Sequence, residues 1–292
     1  MSRQQYYDPK TIRYPYPLQT DQHYLPLKKD NRIVFDENYP YWDKRFWPTF
    51  VRGIVRVLLF IIVFPLNAIR MGLRIKGREN LKKYKEVLKN GAVSISNHIH
   101  MWDFIANMNG LLPHKPRIIV WDKNINGENG GLIRAVGGIP IPLNNLKASK
   151  AFTETVEGIL KNNGWIHVYA EGSMWEYYKP IRPFKLGAAH FAIKTGKPIV
   201  PIAFTFRKPS WWRKLFIKQP ACITLNIGKP IFADESLGLA EAERDLTIRA
   251  HKAICKLAGI NPEENLYPPI FNNDTRVDYY ATEYGKGYKG SF

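Results

Sequence analysis

The stretch AVSISNHIHMWD, residues 92–103, decides the fold. Residues 92–96 are small, β-branched or hydroxylated and predict a buried strand, and a helical pattern follows over 102–112. His98 lies between the two elements, five residues before Asp103. Five steps along an ideal helix leave two side chains roughly 140° apart. The two side chains therefore meet only if His98 lies in the loop and Asp103 in the first turn of the helix.

This pair has a definite chemical use. A carboxylate that accepts a hydrogen bond from one imidazole nitrogen leaves the other nitrogen free to take a proton, which makes His98 a candidate general base for a substrate hydroxyl. A purely structural His98–Asp103 pair is the alternative. Metal binding by His98, His100 and Asp103 is a third reading, but no further ligand cluster or zinc-type spacing accompanies them, so no metal is predicted.

Strands and helices alternate along the chain on both sides of this stretch. That order predicts an α/β domain with a mixed central β-sheet flanked by helices. Strands are predicted at 92–96, 117–121, 139–141, 165–169, 199–206 and 221–227, and helices at 102–112, 147–161, 187–195 and 235–257.

Composition limits the class of protein. The 292 residues include 43 Lys+Arg and 25 Asp+Glu, giving a formal net charge of +18, and 45% are hydrophobic. This apolar content excludes a wholly disordered chain, and the composition fits neither collagen nor a coiled coil. One core domain of roughly 200 residues with flanking segments fits the length. The two cysteines, Cys222 and Cys255, without a secretory signal, indicate buried thiols in a reducing compartment.

The excess of positive charge predicts an acidic partner, either a membrane surface or a nucleic acid. No zinc-finger spacing, basic zipper or RNP-type motif occurs, so no nucleic acid is predicted. Residues 44–78 instead hold eight basic residues, no acidic one and the uncharged run VLLFIIVFPLNAI at 57–69. This run is shorter than the about 20 residues of a spanning helix. With Pro65 near its middle, it predicts a bent or hairpin-like pair of short helices in monotopic contact with the membrane, and a buried core helix is the alternative.

A second basic and aromatic run, RKPSWWRKLFIK, occupies residues 207–218. Indole rings favour the membrane–water interface and basic side chains favour anionic lipid, so Trp211 and Trp212 indicate a second membrane contact. An exposed loop without a membrane role is the alternative. The predicted organisation is an extended arm at 1–46, a membrane-associating helical segment at 47–75, the α/β domain at 76–261 and a tail at 262–292.

Four further blocks follow the His98 stretch in order. They read GGIPIP at 137–142, YAEGS at 169–173, FKLGA at 184–188 and GKPIVPI at 196–202. Together with the His98 stretch, their order and spacing resemble the glycerolipid acyltransferase family, which includes 1-acylglycerol-3-phosphate and other lysophospholipid acyltransferases. The resemblance covers about residues 50 to 235.

The resemblance implies transfer of a fatty acyl group from a thioester, acyl-CoA or acyl carrier protein, to the hydroxyl of a lysophospholipid in phospholipid biosynthesis. It makes His98 the general base and Asp103 the residue that orients it, with no covalent intermediate and no metal or redox cofactor. It places Lys123 where the family often has a phosphate-binding lysine. It also assigns an acceptor site and cleft lining to Glu171, Gly172, Ser173, Gly138 and Ile139.

Two departures from the family pattern put the acceptor in question. Leu143 stands where the family has an arginine after the glycine turn, and Met174 stands where the acidic block ends in arginine. Both arginines that would hold an acceptor phosphate are therefore absent. A phosphate would then be held by Lys123, Lys179, Arg182 or Lys185. The other reading is an acceptor without phosphate, such as a glycolipid or another hydroxyl or amine lipid.

Other functions remain as alternatives. A catalytically inactive lipid-binding homologue would keep the membrane segment, whereas a serine lipid hydrolase is disfavoured because no Gly-x-Ser-x-Gly elbow occurs. His100 replaces a small polar residue of the family, and it either shapes the acceptor pocket or caps the following helix. We expect a membrane-associated, monotopic or peripheral enzyme on the cytoplasmic face, with a membrane lipid acceptor and an acyl thioester donor as its partners.

Overall fold

The computed structural model describes residues 31–142, 145–217 and 221–271. Within them, seven strands form one sheet: β1 Arg74–Lys76, β2 Ala92–Ser96, β3 Arg117–Trp121, β4 Gly138–Ile141, β5 Trp165–Tyr169, β6 Ile199–Arg207 and β7 Cys222–Ile227. Their order across the sheet is β1-β7-β6-β2-β5-β3-β4. The five strands from β6 to β4 are parallel, whereas β7 pairs antiparallel with β6 and parallel with β1. The predicted mixed sheet is confirmed.

Helices cover both faces of the sheet. In the described part of the chain they are α1 Phe46–Leu58, α2 Phe64–Met71, α3 Arg78–Lys83, α4 Lys85–Leu88, α5 Asp103–Gly110, α6 Asp122–Asn126, α7 Gly130–Val136, α8 Leu146–Lys161, α9 Gly187–Thr195 and α10 Leu239–Ala258. All six predicted strands and four predicted helices are present, with ends moved by at most four residues. The elements not predicted include β1, α3, α4, α6 and α7, which are too short to show a periodic pattern.

The N-terminal helix differs from its prediction. Phe46–Met71 is one helix of 26 residues, in which a π-helical turn, Leu59–Val63, joins α1 to α2. The predicted hairpin-like pair of short helices is wrong, because the helix continues through Pro65. Pro65 lies in the first turn of α2, directly after the wider π-turn, where the usual hydrogen-bond ladder is already interrupted and its missing N–H is tolerated. The helix ends at Gly72, which is left-handed with φ +56°.

Among the described residues, one helix is long and apolar enough to cross a membrane by length and composition, and it is this N-terminal helix. The uncharged run alone underestimates its length because arginines precede that run within the same helix. Arg52 is buried against the protein, with its guanidinium donating to Thr49 Oγ1 at 2.9 Å and to the carbonyl oxygen of Asp43. Arg52 thus faces the protein rather than the solvent.

Alternation along the strands divides the core into two layers. On β2, Val93 and Ile95 pack beneath α8, α9 and α10, whereas Ala92, Ser94 and Ser96 face α5 and the N-terminal helix. The first layer is entirely apolar on β2 and β5. The second layer carries polar side chains near the carboxyl ends of the same strands, close to His98 and Asp103.

The chain on either side of the predicted α/β domain packs against it where the structure describes it. Asn31 N–H donates to Asn126 O at 2.9 Å, and Tyr41 is buried in the first core layer. Near the other end, Tyr267 is buried and its hydroxyl lies 2.6 Å from that of Tyr178. Most of the predicted arm and tail, residues 1–30 and 272–292, lies outside the described residues.

Candidate active site

His98 and Asp103 meet at the carboxyl edge of the parallel strands. His98 lies in the loop that follows β2, and Asp103 is the first residue of α5. Nδ1 of His98 is 2.9 Å from Oδ2 of Asp103. The His98 side chain is 21% exposed and that of Asp103 is fully buried. The pair therefore has the geometry that its spacing predicts, with a buried carboxylate behind a partly open imidazole.

The backbone of the loop fixes the carboxylate. Oδ2 of Asp103 also accepts the N–H groups of Ile99 at 2.9 Å and His100 at 3.2 Å, both in the loop before α5, and the first turn of a helix favours a negative charge. Burial alone would raise the pKa of Asp103, but the opposing effects of His98, Tyr169 and the Ile99 N–H lower it below its ordinary value. Asp103 is therefore ionised, so Nδ1 of His98 carries a proton toward it and Nε2 is the nitrogen left to accept one.

Tyr169 is a functional residue that the sequence analysis missed. It ends β5, and its hydroxyl donates to Oδ1 of Asp103 at 2.6 Å. Its ring stacks on the His98 imidazole, with centroids 3.8 Å apart and planes 15° apart. Burial, the Asp103 charge and the hydrogen bond to Asp103 raise the pKa of Tyr169 well above its ordinary value, so the phenol stays protonated and donates. Tyr169 thereby holds both members of the pair.

Behind Tyr169 lies a buried polar network on the same face of the sheet. Nδ2 of Asn107 is 2.8 Å from Nε2 of His167 and 3.3 Å from the Tyr169 hydroxyl. Nδ1 and Nε2 of His167 lie 3.0 Å from Ser94 Oγ and 3.3 Å from Ser96 Oγ. Burial lowers the pKa of His167 to about 3, so its ring is neutral. The network supports Tyr169 from below with uncharged groups.

Substituting Tyr169→Phe is expected to lower kcat by roughly tenfold with little change in KM, because it removes one charge-assisted hydrogen bond from Asp103 and loosens the imidazole. The pH–rate profile is expected to shift as well, since the carboxylate loses a donor. Steady-state kinetics across pH measure both. Tyr41→Phe is the matched control, because Tyr41 is also buried and its hydroxyl bonds to Asp36 O at 3.1 Å, outside the site. Equal kinetics for the two variants would contradict a positioning role.

Glu171 and Ser173 are placed behind the His98 loop and turned inward. Oε2 of Glu171 accepts the His98 N–H at 3.0 Å and Nη2 of Arg182 at 2.7 Å, while Oε1 accepts the Arg182 N–H at 2.9 Å. Nη1 of Arg182 donates to Ser173 Oγ at 2.6 Å. All three side chains are buried. Arg182 is therefore committed to Glu171, which corrects the reading of it as a phosphate ligand.

Gly172 and Lys185 lie at the surface beside this buried pair. Gly172 has φ +79°, and a Cβ there would lie 3.0 Å from Lys185 Cε, so glycine lets the lysine stem pass closely. Lys185 is exposed, and its ammonium lies 5.0 Å from the centre of the Phe271 ring. Lys123 follows β3 at the same edge of the sheet and is exposed. Both lysines are exposed at the edge that carries His98.

Gly138 and Ile139 are not brought to His98. They begin β4, three strands away from β2, which at sheet spacing is about 14 Å. Ile139 is fully buried in the first core layer. The predicted turn is a strand start, because φ +107° at the preceding Gly137 already completes the reversal from α7. Leu143 lies outside the described residues.

His100 borders the site without joining the pair. Its Nδ1 accepts the Trp102 N–H at 3.1 Å, and its Nε2 is 3.8 Å from Oε1 of Glu176. Burial is the largest of the effects that lower the pKa of His100 to about 4, so the ring is neutral and serves as an acceptor. The contact with Trp102 lies before the first residue of α5, whose N-terminus has no side-chain cap, so it does not support the capping alternative.

Residues 72–205 match the family model described as Acyltransferase, a span that includes His98, Asp103 and Glu171. No curated protein matches the sequence. Among solved structures, the 1-acyl-sn-glycerophosphate acyltransferase PlsC from Thermotoga maritima is similar at 17% identity, over 72% of this chain and 96% of that chain, with a TM-score of 0.38.

Proposed function

We propose that this protein, whose residues 72–205 form a domain of the Acyltransferase family, moves a fatty acyl group from a thioester donor to the hydroxyl of a lysophospholipid such as 1-acylglycerol-3-phosphate. The observation that carries the proposal is the His98 imidazole, which is held through Nδ1 by a buried, ionised Asp103 and is partly open to solvent. Acyl transfer to a hydroxyl needs such a base.

The proposed reaction is a direct transfer. Nε2 of His98 takes the proton of the acceptor hydroxyl as its oxygen attacks the thioester carbonyl. The resulting oxyanion collapses, the carbon–sulfur bond breaks, and the imidazolium returns the proton to the leaving thiolate. Asp103 stabilises the imidazolium and holds its orientation, with the proton remaining on Nδ1. The products are an ester and a free thiol, and the scheme uses no metal, redox cofactor or acyl-enzyme.

The proposed acceptor headgroup is a phosphate. Arg182 is neutralised by Glu171. Of the exposed lysines Lys123, Lys179 and Lys185, the proposed phosphate ligands are Lys123 and Lys185, which lie beside the carboxyl ends of β3 and β5. Lysine binds phosphate as a point charge rather than in a bidentate fork, so we expect weaker selection of the headgroup than two arginines would give. Acyl-CoA and acyl carrier protein are both anionic donors that suit the net charge of +18.

A panel of acceptors tests the substrate class. Thiol release from acyl-CoA and from acyl-loaded carrier protein is measured with lysophosphatidic acid, a neutral monoacylglycerol and a lysoglycolipid. We expect lysophosphatidic acid to be preferred, with kcat/KM falling about tenfold in the Lys123→Gln, Lys185→Gln double variant through KM. A preferred neutral acceptor, unaffected by that double change, would identify a lipid without phosphate as the substrate instead.

We also propose that two contiguous apolar surfaces hold the enzyme on the membrane. The N-terminal helix exposes large apolar side chains, each 60–71% accessible: Phe46, Trp47, Phe60, Ile61 and Leu66. The segment 211–217 lies against the end of this helix, since Nη1 of Arg213 donates to Ile69 O at 2.6 Å. Within it, Trp211 and Phe216 are more than 70% exposed. Apolar side chains beside arginines favour the bilayer interface.

Replacing both Trp211 and Phe216 by serine is expected to weaken partition onto vesicles of phosphatidylglycerol and phosphatidylcholine by about tenfold or more, because two large apolar side chains no longer enter the bilayer. Flotation of the detergent-free protein measures this. Leu146→Ser is the control, because Leu146 is 90% exposed at the start of α8, across the sheet from the N-terminal helix. A loss of partition as large in the control would refute the assignment of this surface.

A further inference from the structure

A cluster of arginines lies at the edge of the sheet opposite His98. The guanidinium carbons of Arg52 and Arg117 lie 4.3 and 4.5 Å from the centre of the Trp42 ring. Arg56 is one helical turn beyond Arg52 on α1, and Arg134 lies 5.3 Å from the Tyr39 ring. This cluster, Arg52, Arg56, Arg117 and Arg134, joins the start of the N-terminal helix to the start of β3.

The cluster has little counter-charge among the described residues. Nε of Arg117 is buried without a hydrogen-bond partner, and the side chain of Arg56, which is half-buried, makes neither an ion pair nor a hydrogen bond there. The nearby Asp43 carboxylate is used by Arg45, whose Nη2 lies 2.6 Å away, although it also attracts Arg52. Burial, followed by repulsion from Arg56 and Arg52, lowers the pKa of Arg117 to about 10.

A cavity opens beside Arg117. Its volume is about 330 Å³, which is large enough for a phosphate group and part of the molecule that carries it. Its lining includes Trp42, Lys44 and Arg117. The acidic residue of this lining is Glu154, which is 67% exposed and 3.9 Å from Lys150. Arg117 lines this pocket, its Nε is buried without a partner, and Arg56 and Arg52 repel its charge. An anion bound there would satisfy the unpaired N–H and relieve the repulsion.

We propose that this cluster and its cavity bind an anion bearing a phosphate group, at a site separate from the acyl-transfer centre. Arg117 begins β3, whereas His98 follows the end of the parallel strand β2, so at least about 13 Å of strand separates the two edges. Arginine is suited to the role because its planar fork binds phosphate in a bidentate manner. The phosphate belongs either to an anionic phospholipid beside the N-terminal helix or to a soluble compound. The inference does not depend on the proposed function.

The test uses the full chain in a nonionic detergent. Thermal unfolding is followed as sodium phosphate is added, against sodium chloride at the same ionic strength. We expect phosphate to raise the Tm of the wild type beyond the effect of salt. The apparent Kd is expected to weaken about tenfold or more in Arg117→Gln and in Lys44→Gln, because each loses a basic side chain that lines the cavity. Arg244→Gln, an exposed arginine on α10, is expected to keep the response.

A second arm distinguishes the sources of the phosphate. The apparent Kd for phosphatidylglycerol in mixed micelles is compared with the apparent Kd for inorganic phosphate. Tighter binding of phosphatidylglycerol indicates a lipid headgroup as the ligand, and tighter binding of inorganic phosphate indicates a soluble phosphate compound. Either result supports the site. Lys44→Gln decides the test if Arg117→Gln does not fold. No phosphate-specific rise in Tm for the wild type, or an undiminished rise in the variants, would overturn the proposal.

Discussion

Replacing His98 with alanine is expected to lower the kcat of acyl transfer by about 10³-fold while the fold remains intact. The hydroxyl of a lipid acceptor is a weak nucleophile, and the variant has no group in place to take its proton. Circular dichroism checks the fold, and thiol release under saturating donor and acceptor measures kcat. KM for the acceptor is expected to change little, because the imidazole acts mainly in the transition state.

A matched histidine substitution separates catalysis from general damage. His190→Ala removes a partly exposed histidine whose Nδ1 lies 2.8 Å from Glu243 Oε1, on α9 beneath the other face of the sheet. Its kcat is expected to stay within about twofold of the wild type, since surface contacts of this kind contribute little. Comparable losses in His98→Ala and His190→Ala would show that His98 is not the base.

Breaking the Glu171–Arg182 ion pair is expected to lower the stability of the protein strongly. Arg182→Leu is expected to lower the free energy of unfolding by about 3–5 kcal/mol, because Glu171 is left as a buried charge without its partner. The same change releases the Oε2 atom that accepts the His98 N–H, so activity is expected to fall with stability. Urea unfolding monitored by tryptophan fluorescence measures the change.

An exposed pair of the same type provides the comparison. Arg249 Nη2 lies 2.6 Å from Asp245 Oδ2 on α10, with both side chains more than a third exposed to solvent. Arg249→Leu is expected to lower the free energy of unfolding by no more than about 1 kcal/mol, because water screens and replaces the contact. If the two leucine variants lose equal stability, the Glu171–Arg182 pair does not hold the loop as described.

The sheet was predictable because its central strands are short apolar runs separated by helical patterns of sufficient length. β1 was missed, since Arg74–Lys76 has two charged residues out of three and is recognised only by its pairing with β7. The N-terminal helix was wrongly divided at Pro65. Sequence patterns predict that a helix ends or bends at proline. Here a π-helical turn precedes Pro65 and accommodates its missing N–H donor, and no pattern of residues indicated that turn.

The candidate site was predictable to different degrees. The spacing of His98 and Asp103 indicated their contact, and polar residues two apart, Ser94 with Ser96 and His167 with Tyr169, could have indicated the buried network, because alternation puts each pair on one face of a strand. The partner of Arg182 could not be found in this way. A basic side chain in a loop reads as exposed, and only the fold brings Glu171 to it.

The fate of a labelled acyl group tests the account most directly. Wild-type protein and His98→Ala are each mixed with acyl-labelled thioester donor and lysophosphatidic acid, and the label is located by chromatography. The account predicts that the wild type moves the label to the acceptor lipid, with none retained on the protein or released as fatty acid, and that His98→Ala leaves it on the donor. Label on the protein or in free fatty acid, or transfer that survives in His98→Ala, would contradict it.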